Sequence, residues 1–103
     1  MKRGEIRWYR FSAPDKRRPV LIVTRSSAVE YLAELTVAPI TTTVRDIPSE
    51  VVLSKDDGVP RRCAVNCDHI QTVPKAKIGK RIGELSAVRL VELRDAIHFA
   101  LGV

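Results

Sequence analysis

Arg17-Arg18-Pro19-Val20-Leu21-Ile22-Val23-Thr24 is the stretch from which the fold follows. From Pro19 to Thr24 it is almost continuously apolar, rich in β-branched residues and too short for a buried helix. This predicts a central strand covered on both faces. Pro19 is expected at its start, where a missing N–H is tolerated. Upstream, residues 5–11 (Glu-Ile-Arg-Trp-Tyr-Arg-Phe) have the aromatic, β-favouring character of a first strand, and residues 12–17 form a turn around Pro14 and Asp15. Downstream, residues 26–32 suit one or two helical turns with Ser26 as N-cap. Residues 34–41 read as a third strand, and Pro39 implies a bulge or an unpaired position near its end. That irregularity would aim Thr41, Thr42 and Thr43. A short strand over residues 50–53 precedes an Asp56-Asp57-Gly58 turn, and residues 62–73 supply one bent strand or two successive ones. Ser86 is a fair N-cap for a last helix with an apolar stripe at Ala87, Leu90, Leu93, Ile97 and Ala100–Leu101, stopped by Gly102. Strands followed by a closing helix, with too few helices for parallel crossovers, predict a mainly β domain: a small antiparallel barrel or curled sheet with a C-terminal helix packed on it.

The 103 residues suffice for one core, and no linker divides them, so residues 1–103 are expected to form a single domain. The apolar runs are too short to span a bilayer, and the N-terminus has no signal-peptide core, which predicts a cytoplasmic protein. Cys63 and Cys67 lie four residues apart in a strand-like segment. That spacing separates them by about 13 Å along a strand, against the roughly 7 Å between Cα atoms that a disulfide requires. Two half-buried free thiols are expected. No CxxC or HxxxH spacing supports a metal site at Cys63, Cys67 and His69. The net charge is +6, and residues 1–25 carry eight basic side chains against two acidic ones, while the rest of the chain balances. The excess therefore falls on the first two strands and the loop between them, which suits either a solvated surface or a footprint for a polyanion, nucleic acid or an acidic protein.

Most catalytic signatures are absent: there is no GxSxG, Walker loop, HExxH or zinc-finger spacing. His98 falls on the last helix, where a structural role is expected, and His69 in a more open polar segment. The arginines are more informative. Arg17 and Arg18 stand where a rigid apolar strand begins, and an arginine held there presents a planar fork to a phosphate and can stabilise charge in a phosphorane-like transition state. The hydroxyls of Thr41, Thr42 and Thr43 can bond a phosphate oxygen or a sugar.

Five segments in register carry a family resemblance: Lys2-Arg3-Gly4-Glu5-Ile6; Arg17-Arg18-Pro19-Val20-Leu21-Ile22-Val23; Val37-Ala38-Pro39-Ile40-Thr41; Cys67-Asp68-His69-Ile70-Gln71-Thr72-Val73; and Lys80-Arg81-Ile82-Gly83-Glu84-Leu85-Ser86. In this order and spacing they resemble the MazF/PemK-like toxins of type II toxin–antitoxin systems. The resemblance implies an SH3-like (CcdB/PemK-like) β-barrel with a C-terminal helix, acting as a homodimer. It implies a sequence-specific endoribonuclease of the mRNA interferase type, working without metal or cofactor. Such an enzyme cleaves single-stranded RNA by 2′-hydroxyl attack, leaving 2′,3′-cyclic phosphate and 5′-hydroxyl ends. A MazE-like antitoxin with an acidic tail would be its partner. The family's catalytic arginine falls on Arg18 and its catalytic threonine on Thr41. Lys16, Arg17 and Arg45 would guide the RNA backbone beside Thr42 and Thr43, and Asp68, His69 and Gln71 would read base edges. His69 replaces the family's glutamine, and the basic loop over residues 12–17 is shorter than in many relatives, so neither the cut motif nor the RNA class transfers.

Two other readings compete. A gyrase poison of the CcdB type would end in a Trp-Gly-Ile-like tail, whereas this chain ends Ala100-Leu101-Gly102-Val103 and has its only tryptophan at Trp8. A non-catalytic nucleic-acid-binding barrel would need stacking aromatics on one face, but aromatics are 5% of the chain and three of the five fall within residues 8–11.

Overall fold

In the computed structural model, which describes residues 1–12 and 17–103, the apolar run at Pro19 is the middle of an antiparallel sheet. The elements are β1 (Glu5–Arg10), β2 (Arg17–Ile22), α1 (Ser26–Val29), β3 (Glu34–Thr41), β4 (Glu50–Leu53), β5 (Cys63–Asn66), β6 (Gln71–Pro74), β7 (Ile78–Glu84) and α2 (Ala87–Leu101). One-turn 3₁₀ helices at Lys55–Asp57, Cys67–His69 and Lys75–Lys77 join several of them. The strand order is β4-β5-β3-β2-β1-β7, with β6 also paired to β3.

Alternation along β2 explains its unbroken apolarity. Leu21 packs with Ile6, Ala38 and Ile40 in one cluster, while Val20 and Ile22 pack with Tyr9, Val37 and Val73 in the other. Neither face meets water, as a continuous run demands. β2 begins at Arg17 and ends at Ile22, two residues earlier at each end than the apolar pattern predicts. Pro19 is therefore its third residue. β1 pairs with β2 from Arg17 to Leu21, but β3 pairs only from Val20, so on that side Pro19 has no ladder to interrupt.

The sheet curls without closing into a barrel: β4 and β7 end the pairing path. Instead of strand closure, α2 covers one face. Its Leu93 and Ala96 are buried with Val51 and Leu53 of the sheet and with Leu85 just after β7, and Leu90, Ile97 and Ala100 pack alongside. Ala87 and Leu101, expected in the stripe, are exposed, and Ala96 joins the core instead. Ser86 caps the helix by accepting from the Arg89 amide at 3.2 Å. Gly102 ends it at φ 70°, a left-handed conformation that glycine adopts without penalty.

Two further expectations shift. Residues 62–73 form two strands, separated by the Cys67–His69 turn. α1 is one turn and its N-cap is Arg25, not Ser26; the Ser26 hydroxyl instead accepts from the Arg3 amide at 3.1 Å. Both cysteines are free and buried. Burial, aided by Asp68, pushes the Cys67 thiol from 9.0 up to about 11, and burial with Asp57 raises Cys63. The thiolate is the reactive form, so at pH 8 a thiol reagent should label native protein far more slowly than urea-unfolded chain. Equal rates would contradict this burial. Cys67 keeps its proton more tightly when folded, so its contribution to stability is complete below pH 9 and lost as pH rises towards 11.

Candidate active site

β3 changes partners along one edge. Glu34 to Val37 pair with β6, whereas Ile40 and Thr41 pair with β5. Pro39, which has no N–H to donate, sits at the change-over. On the other edge the β2–β3 ladder stops at Val20↔Pro39. Beyond that pair, β2 runs on with β1 while β3 runs on with β5, and the sheet forks. Arg18 and Thr41 each lie two residues past that last pair, one on each arm of the fork.

The fork opens onto a groove of about 240 Å³, lined by Trp8, Pro19, Ile40, Thr41, Thr42 and Arg61 among others. The Thr41 hydroxyl accepts from the Thr43 amide at 3.1 Å. That bond fixes the oxygen and leaves its proton free to donate. Thr42 and Thr43 are exposed beside it. Arg18 is exposed on β2 and makes no ion pair among the described residues. Alternation puts it on the Val20 face, and it is not among the residues lining the groove. Arg17 points the other way, its guanidinium 4.4 Å from the Trp8 ring centroid. Lys16 lies outside the described residues.

The other sequence-derived candidates are elsewhere. Arg45 is held by Glu50, whose fully buried carboxylate accepts from the Arg45 amide at 2.9 Å and lies 3.5 Å from its guanidinium. Asp68 and His69 belong to the Cys67–His69 turn, and Gln71 opens β6 opposite Val37. These three residues lie along the β5–β6 edge of β3, so β3 stands between them and β2. Two residues that sequence reasoning passed over order this cluster. Ser49 donates to Asp68 at 2.5 Å. The Asn66 side chain accepts from the Asp68 amide at 3.0 Å and approaches His69 Nδ1 at 3.4 Å. Asn66 before a turn signals a cap, whereas Ser49 carries no local signal. Trp8, Pro60 and Arg61 were likewise missed as groove-lining residues; the Pro60-Arg61-Arg62 run was the available hint. Among the described residues no three His, Cys, Asp or Glu side chains gather as a metal site, and no helix is long and apolar enough to cross a membrane.

Residues 2–101 match the family model for the PemK-like, MazF-like toxin of type II toxin–antitoxin systems. The probable endoribonuclease MazF5 of Mycobacterium tuberculosis is 40% identical, over 96% of this chain and 91% of its own. Among solved structures, the Mycobacterium tuberculosis toxin MazF-mt6 superposes with a TM-score of 0.89 at 38% identity, covering 96% of this chain and 97% of that one. An endoribonuclease in complex with its cognate antitoxin, from a mycobacterial species, gives 0.90 at 27% identity, covering 100% and 96%.

Proposed function

The chain belongs to the PemK-like, MazF-like toxin family of type II toxin–antitoxin systems, and on that footing we infer that it is an endoribonuclease toxin with a cognate antitoxin. We propose that it cuts single-stranded RNA at a specific short motif, at the fork between β2 and β3, without a metal ion. The observation that supports the site is the end of the β2–β3 ladder at Val20↔Pro39, two residues from Arg18 and two from Thr41, beside a groove large enough for part of a nucleotide.

The chemistry follows from what these side chains offer. The substrate's own 2′-hydroxyl attacks the adjacent phosphorus, and the bond to the 5′-oxygen breaks. The products are a 2′,3′-cyclic phosphate and a 5′-hydroxyl, with no net uptake of water. Charge accumulates on the non-bridging oxygens, where the permanently cationic Arg18 stabilises it. Thr41, its oxygen already fixed by the Thr43 amide, donates its proton to the same phosphate. Arginine remains protonated at neutral pH, so Arg18 is the charge stabiliser; the nucleophile's proton passes to water, and water returns one to the leaving 5′-oxygen. His69, beyond β3, is assigned no part in this step and is placed with Asp68 and Gln71 as a contact for bases further along the strand.

The family match favours this reading over a gyrase poison or a non-catalytic barrel. We further propose that the toxin works in the cytoplasm as a homodimer. The exposure of Val88, Val91, Phe99 and Leu101 on the outer side of α2 supports association, since apolar side chains clustered on one helix mark an interaction surface. In excess EDTA, the purified protein is expected to cut a mixed RNA pool into fragments whose 5′ ends a polynucleotide kinase labels directly. Fragments with 5′-phosphates, or loss of cleavage in EDTA, would refute the proposed chemistry.

A further inference from the structure

β7 and the one-turn helix before it bring Lys80 and Lys77 to a second cleft beside the fork. Its pairing with β1 shifts register on both sides of Arg7, and the Arg7 guanidinium donates to the Gly79 carbonyl at 2.9 Å. A Cβ at Gly79 would stand 3.2 Å from the Trp8 carbonyl oxygen and 3.6 Å from Trp8 Cβ, so β7 lies closer to Trp8 than a side chain there comfortably allows. Lys77 and Lys80 flank that glycine. Across from them, the end of β1 and the start of β2 bring Arg10 and Arg17 together as Cα partners. Trp8, Arg10, Arg17, Lys77, Gly79 and Lys80 are among the residues lining a cleft of about 420 Å³, four of them cationic.

We propose that this cleft binds backbone phosphates of the RNA strand flanking the cut site, and that Lys77 and Lys80 are substrate-binding residues. The proposal rests on the ribonuclease reading above. It is carried by Trp8, which lines both the basic cleft and the groove holding Thr41. Cations, then an indole, then an apolar groove with hydroxyls is the succession that suits a single strand, whose phosphates and bases alternate. An acidic peptide would need the charges but not the continuity with the groove. Arg17, stacked on Trp8, sits where the two cavities meet.

The test is binding of a fluorescein-labelled 2′-O-methyl RNA of mixed sequence, about 20 nucleotides long so as to span fork and cleft, which 2′-hydroxyl attack cannot cleave. Its anisotropy is followed over a series of salt concentrations for wild type, K77A/K80A and K77R/K80R. Both lysines are exposed, and circular dichroism checks that the fold is kept. K77A/K80A is expected to weaken binding about tenfold at low salt and to lower the slope of log affinity against log salt by about 1.4, two phosphate contacts at about 0.7 each. K77R/K80R should stay near wild type. Unchanged RNA affinity and slope in K77A/K80A would overturn the proposal, and a loss for polyglutamate alone would assign the cleft to an acidic peptide. Failure of the ribonuclease reading would show separately, as wild-type protein that leaves unmodified RNA intact.

Discussion

Replacing Arg18 with alanine is expected to lower single-turnover RNA cleavage by about 10²–10³-fold, the range seen when one preorganised donor to a developing oxyanion is removed, while the protein stays folded. The fold should survive because Arg18 is exposed near the start of β2 and supports no ion pair among the described residues. Arg18→Lys should restore little, since a point charge does not reproduce a planar fork. RNA affinity should fall far less than rate, because the other cations of the first two strands and β7 remain. A folded Arg18→Ala protein cutting at the wild-type rate would remove Arg18 from the site.

The largest expected effect on stability is at Leu21. Its side chain is fully buried, between Ile6 of β1 and Ala38 of β3 in the pairing register. Leu21→Ala removes three carbons from a position walled by backbone ladders on both sides, so the cavity cannot collapse. A loss of about 2–5 kcal/mol is expected from the transfer and cavity terms together, read as a lower urea midpoint at constant slope. Leu101→Ala, at an exposed site on α2, is the control and should cost far less in the monomer. A Leu21→Ala loss below about 1 kcal/mol would contradict the central place given to β2.

Leu21 also shows why so much of the fold is legible in the chain. A strand covered on both faces has no polar alternation, and the Pro19–Thr24 run states this directly. Ser86 and Gly102 bracket α2 because caps are local chemistry. β7 leaves no such trace. Gly79, Lys80, Arg81 and Gly83 break its alternation, since the strand follows Trp8 closely and lies at the sheet's edge. That the sheet stays open is equally non-local, because it depends on which strands, distant in the chain, pair at its ends. In the site, Arg18 and Thr41 were singled out by their places beside Pro19 and Ile40. What the chain could not state is that the two prolines end one ladder from both sides and so make the fork. Arg45 reads as a free cation in the sequence because its partner Glu50 is buried only by the fold.

The central claim is that Arg18 and Thr41 act on one phosphate. A double-mutant cycle tests it most directly: single-turnover cleavage of one RNA by wild type, Arg18→Ala, Thr41→Ala and the double variant, each confirmed folded. Groups that act as a unit on one transition state are strongly non-additive. The double variant should therefore be little slower than Arg18→Ala alone. Rate losses that multiply, as for independent sites, would contradict a shared phosphate at the fork.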